Sequence, residues 1–108
     1  MLEDVLELDE VIITRIPFSK KINGEKYDEL AVTNKRLLWY KRKGLLFKKE
    51  SCNSTSYNQL SNVKFLEKGV LRKKCVLELH LKDGSSLPQL KGNPSEIKYL
   101  YQNIVSML

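Results

Sequence analysis

The connections between the strand-like segments of this chain are short, and several carry residues typical of tight hairpins. Asn-Gly and Asp-Gly favour two-residue turns because these residues accept a positive φ. Parallel strands need crossovers of about a dozen residues or more, so the short connections predict antiparallel pairing. The turn candidates are Asn23-Gly24, Asn34-Lys35, Lys43-Gly44 and Asp83-Gly84. The predicted strands are residues 11–18, 27–33, 36–42, 45–52, 60–66, 75–81 and 87–90.

Two strands carry side-chain alternation that predicts burial. Trp39 and Tyr40 are neighbours and therefore face opposite sides of their strand. The alternation of Trp39 with Leu37 places Trp39 in the core and predicts that Tyr40 is semi-exposed. Residues 75–81 alternate most clearly, with Cys75, Leu77, Leu79 and Leu81 on one face and Val76, Glu78 and His80 on the other. Residues 53–58 are polar and are predicted to form a loop.

The hydrophobic period changes at Asn93. This residue is a candidate N-cap, Pro94 suits the first helical position, and Glu96 places an acid in the first turn. The apolar residues that follow are spaced as on one helix face: Ile97, Leu100, Tyr101, Ile104 and Leu108. We therefore predict a helix over about residues 94–107. Leu2, Val5 and Leu6 suit one short helical turn at the N-terminus.

A seven-stranded antiparallel sheet has to close or fold on itself to bury its inner face. One helix with a single apolar stripe is the right size to cover an open end of such a sheet. The predicted fold is therefore mainly β, a barrel or sandwich with the C-terminal helix as its cap. At 108 residues the chain suits one domain that spans residues 1–108.

The composition excludes several classes of protein. Hydrophobic residues make up 42% and charged residues 30%, which suits a folded core rather than disorder. The apolar runs are too short for a transmembrane helix, and the acidic start MLEDVLELDE differs from the basic start of a signal peptide. These features favour a cytoplasmic protein with reduced thiols, in which Cys75 is the buried cysteine. A bridge between Cys52 and Cys75 stays open as the alternative.

Three motifs resemble one family. Residues 30–38, LAVTNKRLL, resemble the strand-turn-strand signature of bacterial pleckstrin-homology-like (PH-like) and GRAM-like domains. Residues 9–12, DEVI, resemble the start of their first strand, and residues 57–63, YNQLSNV, are similar to the entry into their fifth strand. The resemblance covers nearly the whole chain. It implies a seven-stranded antiparallel PH-like barrel or sandwich capped by one C-terminal α-helix.

Residues with catalytic or metal-binding chemistry are sparse. His80 is the one histidine, and the sequence has no Cys-x-x-Cys pair to build a metal site. Gly24, Gly44 and Gly84 stand alone at turns, so the sequence has no glycine-rich phosphate loop. We therefore predict that the protein is not an enzyme and needs no metal or cofactor.

The formal charge of +6 suits an anionic partner. Five cations surround one turn candidate: Lys41, Arg42, Lys43, Lys48 and Lys49. Leu45, Leu46 and Phe47 beside them offer apolar contact, and each cation near an anionic leaflet contributes about 1 kcal/mol. This hairpin is therefore a candidate membrane contact. The alternative is that Leu45 and Phe47 pack inward while the lysines keep an exposed hairpin soluble.

A second candidate site follows from the resemblance. In PH domains that bind phosphoinositides, the headgroup is held by a Lys near the end of the first strand and by basic residues on the second. Lys20 and Lys21 match the first role in this sequence. Asp28 and Glu29 occupy the second strand instead of cations, which argues against selective binding of an inositide.

The resemblance also implies protein partners. PH-like domains bind peptides between the C-terminal helix and a neighbouring strand, or associate through sheet edges. We therefore predict a non-enzymatic binding or assembly module whose partner is another protein or its own copies. The alternative is weak peripheral attachment to anionic membrane lipid through residues 41–49. Nucleic acid is not favoured, because the basic segments lack the interleaved aromatics of a single-strand binder.

Overall fold

The structure is a computed structural model that describes residues 2–22, 24–41, 51–69 and 74–108. Arg42, Lys43, Lys48 and Lys49, together with the predicted turn at Lys43-Gly44, lie outside the described residues. The chain forms two compact units, Met1–Ser56 and Tyr57–Leu108. Whether residues 1–108 act as one domain stays a prediction.

The first unit is built on a four-stranded antiparallel sheet. Its strands are β1 (Ile12–Pro17), β4 (Glu29–Thr33), β5 (Arg36–Lys41) and β6 (Ser51–Ser56), in the order β1-β4-β5-β6. Two short strands, β2 (Lys21–Ile22) and β3 (Glu25–Lys26), form a separate hairpin. The predicted turn at Asn23-Gly24 falls between them. Asn23 lies outside the described residues, and Gly24 has the positive φ of 83° that such a turn requires. This hairpin adds two strands to the seven predicted ones.

Strands β4 and β5 are central and fully covered. Leu30, Ala31, Val32, Leu37, Leu38 and Trp39 are all 0% exposed. The prediction for Trp39 is confirmed: its ring lies 4.8 Å from that of Phe18, and its indole N–H donates to Thr55 Oγ1 at 3.3 Å. Each large apolar side chain buried in this way contributes about 1.5–3 kcal/mol.

The predicted semi-exposure of Tyr40 is wrong, because its side chain is only 5% exposed. Its face of the sheet is covered by the N-terminal segment. A short 3₁₀ turn, Leu2–Val5, places Leu2 against Ala31, Leu38 and Tyr40, and Ile12 packs beside them. The weak helical pattern at the N-terminus therefore marks the element that closes the second face.

The predicted polar loop at residues 53–58 is also wrong, because Ser51–Ser56 is the edge strand β6. Five of its six residues are Ser, Asn or Thr, which are compatible with an edge strand that has one solvated face. Thr55 is its buried member and accepts the Trp39 hydrogen bond. A 3₁₀ turn, Tyr57–Gln59, follows.

The second unit combines a three-stranded antiparallel sheet with the helix. Strands β7 (Leu60–Lys68), β8 (Lys74–Leu81) and β9 (Leu90–Gly92) lie in the order β7-β8-β9. The alternation predicted for β8 holds for its apolar face, since Cys75, Leu77 and Leu79 are each 0% exposed. The last strand begins at Leu90 instead of Leu87, and before it Ser86 forms a single bridge with His80. Pro88 lies in the segment between that bridge and β9.

Helix α1 (Pro94–Ser106) confirms the predicted helix. Asn93 is its N-cap and accepts the backbone N–H of Glu96 at 2.9 Å. Ile97, Leu100 and Ile104 are almost fully buried, and α1 packs against β7, β8 and β9. A side chain at Gly92 would come within 3.3 Å of Ile97, so β9 and the helix approach closely there.

The architecture is therefore mainly β with one C-terminal helix and antiparallel sheets, as predicted. The described strands form three separate sheets instead of one closed barrel. In the described part of the chain, no helix is long and apolar enough to cross a membrane.

Candidate functional site

The basic residues predicted to contact a ligand occupy different positions in the first unit. Lys20 and Lys21 are exposed at the start of the β2–β3 hairpin, and Lys41 is half-buried at the end of β5. Lys21 lies directly opposite Lys26 in the hairpin register. Two like charges facing each other across a strand pair destabilise the pairing.

Asp28 and Glu29 differ in environment although they are neighbours. Asp28 is exposed, whereas Glu29 is 4% exposed and forms an ion pair with Arg15. Arg15 also contacts Glu3 at 2.9 Å. The hydrogen bond to Glu29 raises the pKa of the Arg15 guanidinium, which keeps its charge. Glu29 on β4 is therefore paired with Arg15 on the neighbouring strand β1 and does not face solvent.

Arg15, Asp28 and Glu29 line an open cleft of about 710 Å³, together with Ile16 and Pro17. Two carboxylates and one guanidinium give this described lining mixed charge. A ligand with several phosphates would meet both carboxylates, and the one cation is already bound to Glu29 and Glu3. The cleft is therefore poorly suited to a polyphosphate headgroup.

The TNKR motif (Thr33, Asn34, Lys35 and Arg36) binds the N-terminal loop, residues 6–11. Arg36 holds both carboxylate oxygens of Glu10 at 3.0 Å, and Thr33 donates its hydroxyl to Glu10 at 2.6 Å. The Glu10 side chain is 0% exposed. Burial alone raises the pKa of Glu10, but hydrogen bonds from Arg36, Thr33 and the Glu7 N–H outweigh it and hold the pKa below its usual value.

The other two residues of the motif fix the backbone of the loop. Asn34 accepts the N–H of Val11 at 2.8 Å and donates its amide to the carbonyl of Asp9 at 3.1 Å. Lys35 donates to the carbonyl of Leu8 at 2.6 Å. Asp9 has a φ of 62°, a left-handed conformation that Asp accepts more readily than most residues. Two of the three motifs that carried the family resemblance, residues 9–12 and 30–38, are therefore parts of one internal contact.

A polar network lies on the face of β8 opposite the buried leucines. His80 contacts Glu78 at 3.3 Å and Ser86 at 2.8 Å, and Gln89 donates to Glu78 at 2.8 Å. The hydrogen bond with His80 lowers the pKa of Glu78, and Gln89 and Lys64 act in the same direction. The side chains of His80 and Glu78 are 36% and 22% exposed, so the network is partly solvated.

Sequence reasoning missed an apolar surface on the second unit, which we call the α1–β7 surface. Phe65 on β7 and Tyr101 on α1 are half-buried, and their rings lie 5.7 Å apart. Val105 follows Tyr101 at i+4, on the same side of α1, and Leu108 lies two residues beyond the end of the helix. They are 41% and 59% exposed.

The predicted apolar stripe of the helix contained the signal for this surface. Leu108 falls on that stripe but is exposed, because α1 ends at Ser106 and the core side of the helix is filled by Ile97, Leu100 and Ile104. Val105 fell outside the predicted stripe. An apolar stripe wider than the buried face of a helix leaves its surplus residues at the surface.

Within the described residues, no group of three or more His, Cys, Asp and Glu is placed to hold a metal ion. Cys52 is exposed on β6 and Cys75 is buried on β8, and neither forms a disulfide. The predicted burial of Cys75 is confirmed.

The folds of both units and their order along the chain define a PH-like domain, a class of module often involved in binding. A family model described as the bacterial PH domain matches residues 6–105. The chain belongs to the bacterial PH domain family.

Two solved structures share the fold. A pleckstrin homology domain from Shewanella amazonensis SB2B matches with a TM-score of 0.68 and 17% identity, covering 98% of this chain and 90% of its own. A DUF1696 family protein with a pleckstrin-homology domain from Shewanella loihica PV-4 matches with a TM-score of 0.72 and 17% identity, covering 99% and 87%. No curated protein matches this chain.

Proposed function

We propose that this chain is a non-catalytic protein-binding module and that the α1–β7 surface is its binding site. One observation supports the site above the others: exposed apolar side chains of α1 lie beside the strand at the edge of the β7-β8-β9 sheet. Single exposed apolar residues are ordinary, but a contiguous group marks an interaction site. Phe65 and Tyr101 are in ring contact, and the exposed Val105 follows Tyr101 by one helical turn.

The edge position of β7 adds a second means of binding. An edge strand offers backbone N–H and carbonyl groups to an incoming segment, while pockets beside it select the side chains. On α1, Lys98 precedes Tyr101 by one turn and is exposed. We therefore expect a bound segment to carry aliphatic or aromatic anchors and at least one acid. The partner is another protein or a further copy of this chain.

The test is selection of a displayed peptide library on the purified domain, followed by anisotropy titration of the selected peptides. Val105→Glu should weaken their binding at least tenfold, because it places a charge in the middle of the apolar group. Tyr99→Glu is the matched control, since Tyr99 is 51% exposed on the opposite side of α1. The proposed site would be ruled out if the selected peptides bound both variants equally, or if no peptide were selected.

The β2–β3 hairpin favours a second candidate function, weak attachment to anionic membrane lipid. The observation behind it is the exposed cross-strand pair Lys21 and Lys26, with Lys20 beside it. Each cation near an anionic leaflet adds about 1 kcal/mol, so these three would give weak, salt-sensitive attachment. The predicted membrane contact at residues 41–49 would add to it and lies outside the described residues apart from Lys41.

Co-sedimentation with vesicles of phosphatidylserine and phosphatidylcholine tests this candidate. Lys21→Glu should reduce binding at low salt while leaving the fold intact, because it converts the Lys21–Lys26 opposition into an attractive pair. Lys82→Glu changes the net charge equally at an exposed turn of the second unit and serves as control. Equal losses for the two variants would indicate a net-charge effect and count against a site at this hairpin.

A further inference from the structure

Residues 2–7, which we call the N-terminal flap, lie over β4 and β5 and contribute no strand to their sheet. The last two residues of the flap are also the first two of the N-terminal loop. Leu2 is 1% exposed and packs in an apolar cluster with three side chains of these strands: Ala31, Leu38 and Tyr40. The flap therefore lies on a finished sheet as a bound peptide would.

Two acids of the flap face cations at the edge of the covered face. Glu3 contacts Nη1 of Arg15 at 2.9 Å, and Glu7 lies 4.0 Å from both Nη1 of Arg36 and Nζ of Lys35. The Glu3 and Glu7 side chains are 52% and 58% exposed. Exposed pairs of this kind contribute little to stability, so another pair of carboxylates can replace them at low cost.

The two guanidinium groups keep their positions when the flap leaves. Arg15 holds Glu29 through Nε, and Arg36 holds Glu10 through Nε and Nη2. A guanidinium has five N–H donors, so Nη1 of each arginine can serve a second carboxylate. Nη2 of Arg36 also donates to the carbonyl of Val5 at 3.0 Å, a bond that the backbone of another segment could accept in its place.

The backbone behind the flap is held by separate contacts. The side chains of the TNKR motif bond the carbonyls of Leu8 and Asp9 and the N–H of Val11, and Arg36 and Thr33 bond the Glu10 carboxylate. These bonds contain no atom of residues 2–7. Local opening of a protein costs less than global unfolding, so the flap can open while the rest of the N-terminal loop stays in place.

We propose that the flap covers a peptide-binding face of the first unit and that an acidic, leucine-containing segment of another protein displaces it. Leu2 marks the position of the aliphatic anchor, and Glu3 and Glu7 mark the positions of two carboxylates. This face is distinct from the α1–β7 surface, so the inference goes beyond the function proposed above. The flap is tethered at an effective concentration of about millimolar, and it therefore inhibits binding at the face that it covers.

Titration of the full chain with an acetylated peptide of sequence LEDVLE, followed by amide chemical shifts in NMR spectra, tests the proposal. Glu3→Lys/Glu7→Lys sets the flap against the cations at the edge and favours its opening. Affinity rises with the fraction of open molecules, so this variant should bind the peptide about tenfold more tightly than the wild type. The amides that shift should include those of Ala31, Leu38 and Tyr40.

A matched control separates this effect from net charge. Glu67→Lys/Glu96→Lys changes the charge equally on exposed positions of the second unit and should leave the affinity of the wild type unchanged. The proposal would be wrong if this control gained as much affinity as the flap variant, if the flap variant bound no more tightly than the wild type, or if the shifts lay outside β4 and β5.

A second comparison needs no change in the protein. A peptide of the same length with lysine in place of each acid should not shift the amides of β4 and β5 in the wild type at concentrations where LEDVLE does. Equal shifts with the two peptides, or no shift with either, would also contradict the proposal.

The two proposed surfaces can fail separately. Val105→Glu, added to the flap variant, should leave its affinity for LEDVLE unchanged, because Val105 lies on α1 in the second unit. Loss of LEDVLE binding in that combination would assign the peptide to the α1–β7 surface and overturn the inference drawn for the flap.

Discussion

The Glu10–Arg36 contact and the Glu78–His80 contact look alike in composition but differ in burial. Each joins an acid to a basic side chain with further hydrogen bonds around it: Thr33 and the Glu7 N–H for Glu10, Gln89 and Ser86 for the Glu78–His80 pair. The Glu10 carboxylate is 0% exposed, whereas the Glu78 side chain is 22% exposed. Both acids have a lowered pKa.

The difference lies in what remains when one partner is removed. A buried ion that loses its partner is left without water and without a compensating charge, which is costly. A partly exposed ion is rehydrated at once, so its pair contributes little. Two contacts with similar hydrogen bonds can therefore contribute very different amounts to the free energy of unfolding. The first contact positions a loop, and the second lies on a solvated face of a sheet.

The largest effect is expected at Arg36. Arg36→Ala leaves the buried Glu10 carboxylate unpaired and frees the carbonyl of Val5, which Arg36 contacts at 3.0 Å. The free energy of unfolding should fall by about 3–5 kcal/mol. Urea unfolding followed by circular dichroism measures it. A fall below about 1 kcal/mol would mean that this pair behaves as a surface pair does.

The core of the second unit gives the next largest effect. Ile104→Ala removes a side chain that is 0% exposed between α1 and the sheet, and should cost about 2–5 kcal/mol. Lys98→Ala, on the exposed side of the same helix, should change stability by less than about 0.5 kcal/mol. Similar, small effects for the two variants in urea unfolding would contradict the packing of α1 on the sheet.

Lowering the pH should reduce the stability contributed by the buried Glu10 more than that contributed by the partly exposed Glu78. Because the pKa of folded Glu10 lies below the ordinary value of 4.5, its stabilising contribution is present above that value and is lost as pH falls through the lowered pKa. Glu10→Gln should destabilise the protein at neutral pH, and its deficit relative to wild type should shrink on acidification. Glu78→Gln should also have a stability deficit that shrinks on acidification, but a smaller one. Thermal unfolding at several pH values compares them, and a constant Glu10→Gln deficit down to strong acid would refute the assignment.

The smallest effect is expected on the solvated face of β8. His80→Ala and Ser86→Ala break contacts in which His80 and Ser86 are partly or fully exposed, and each should change the unfolding free energy by less than about 0.5 kcal/mol. A loss above about 1 kcal/mol for either variant would show that the two networks differ less than their burial indicates.

Local patterns predicted most of the elements of this fold. The hairpin with Gly24 at its turn, the alternation of β8 and the Asn93-Pro94 helix start depend on neighbours in sequence, and the described residues of all three agree with the predictions. Tyr40 and β6 were predicted wrongly because their burial depends on distant segments. Tyr40 is covered by the turn at Leu2, and the polar β6 is a strand because β5 pairs with it.

The candidate site was harder to predict. Basic residues are conspicuous in a sequence, and Lys20 and Lys21 are exposed as a ligand site would require. The α1–β7 surface has a weaker signal, because Tyr101 lies on the predicted apolar stripe and Val105 looks like an ordinary helix residue. Only the structure shows that the core side of α1 is already filled by other residues of the stripe. The motif residues Thr33 and Arg36 signalled the family correctly, but only the structure assigns them to the N-terminal loop.

The two cysteines allow the opening rate of the second unit to be measured. Cys52 lies at the surface of the first unit and Cys75 is 0% exposed in the second, so they differ in access to a thiol reagent. One equivalent of an aromatic disulfide reagent should react at once, and the second only as fast as the β7-β8-β9 sheet opens. The slow phase would then report how long the second unit stays closed, with no label and no substitution.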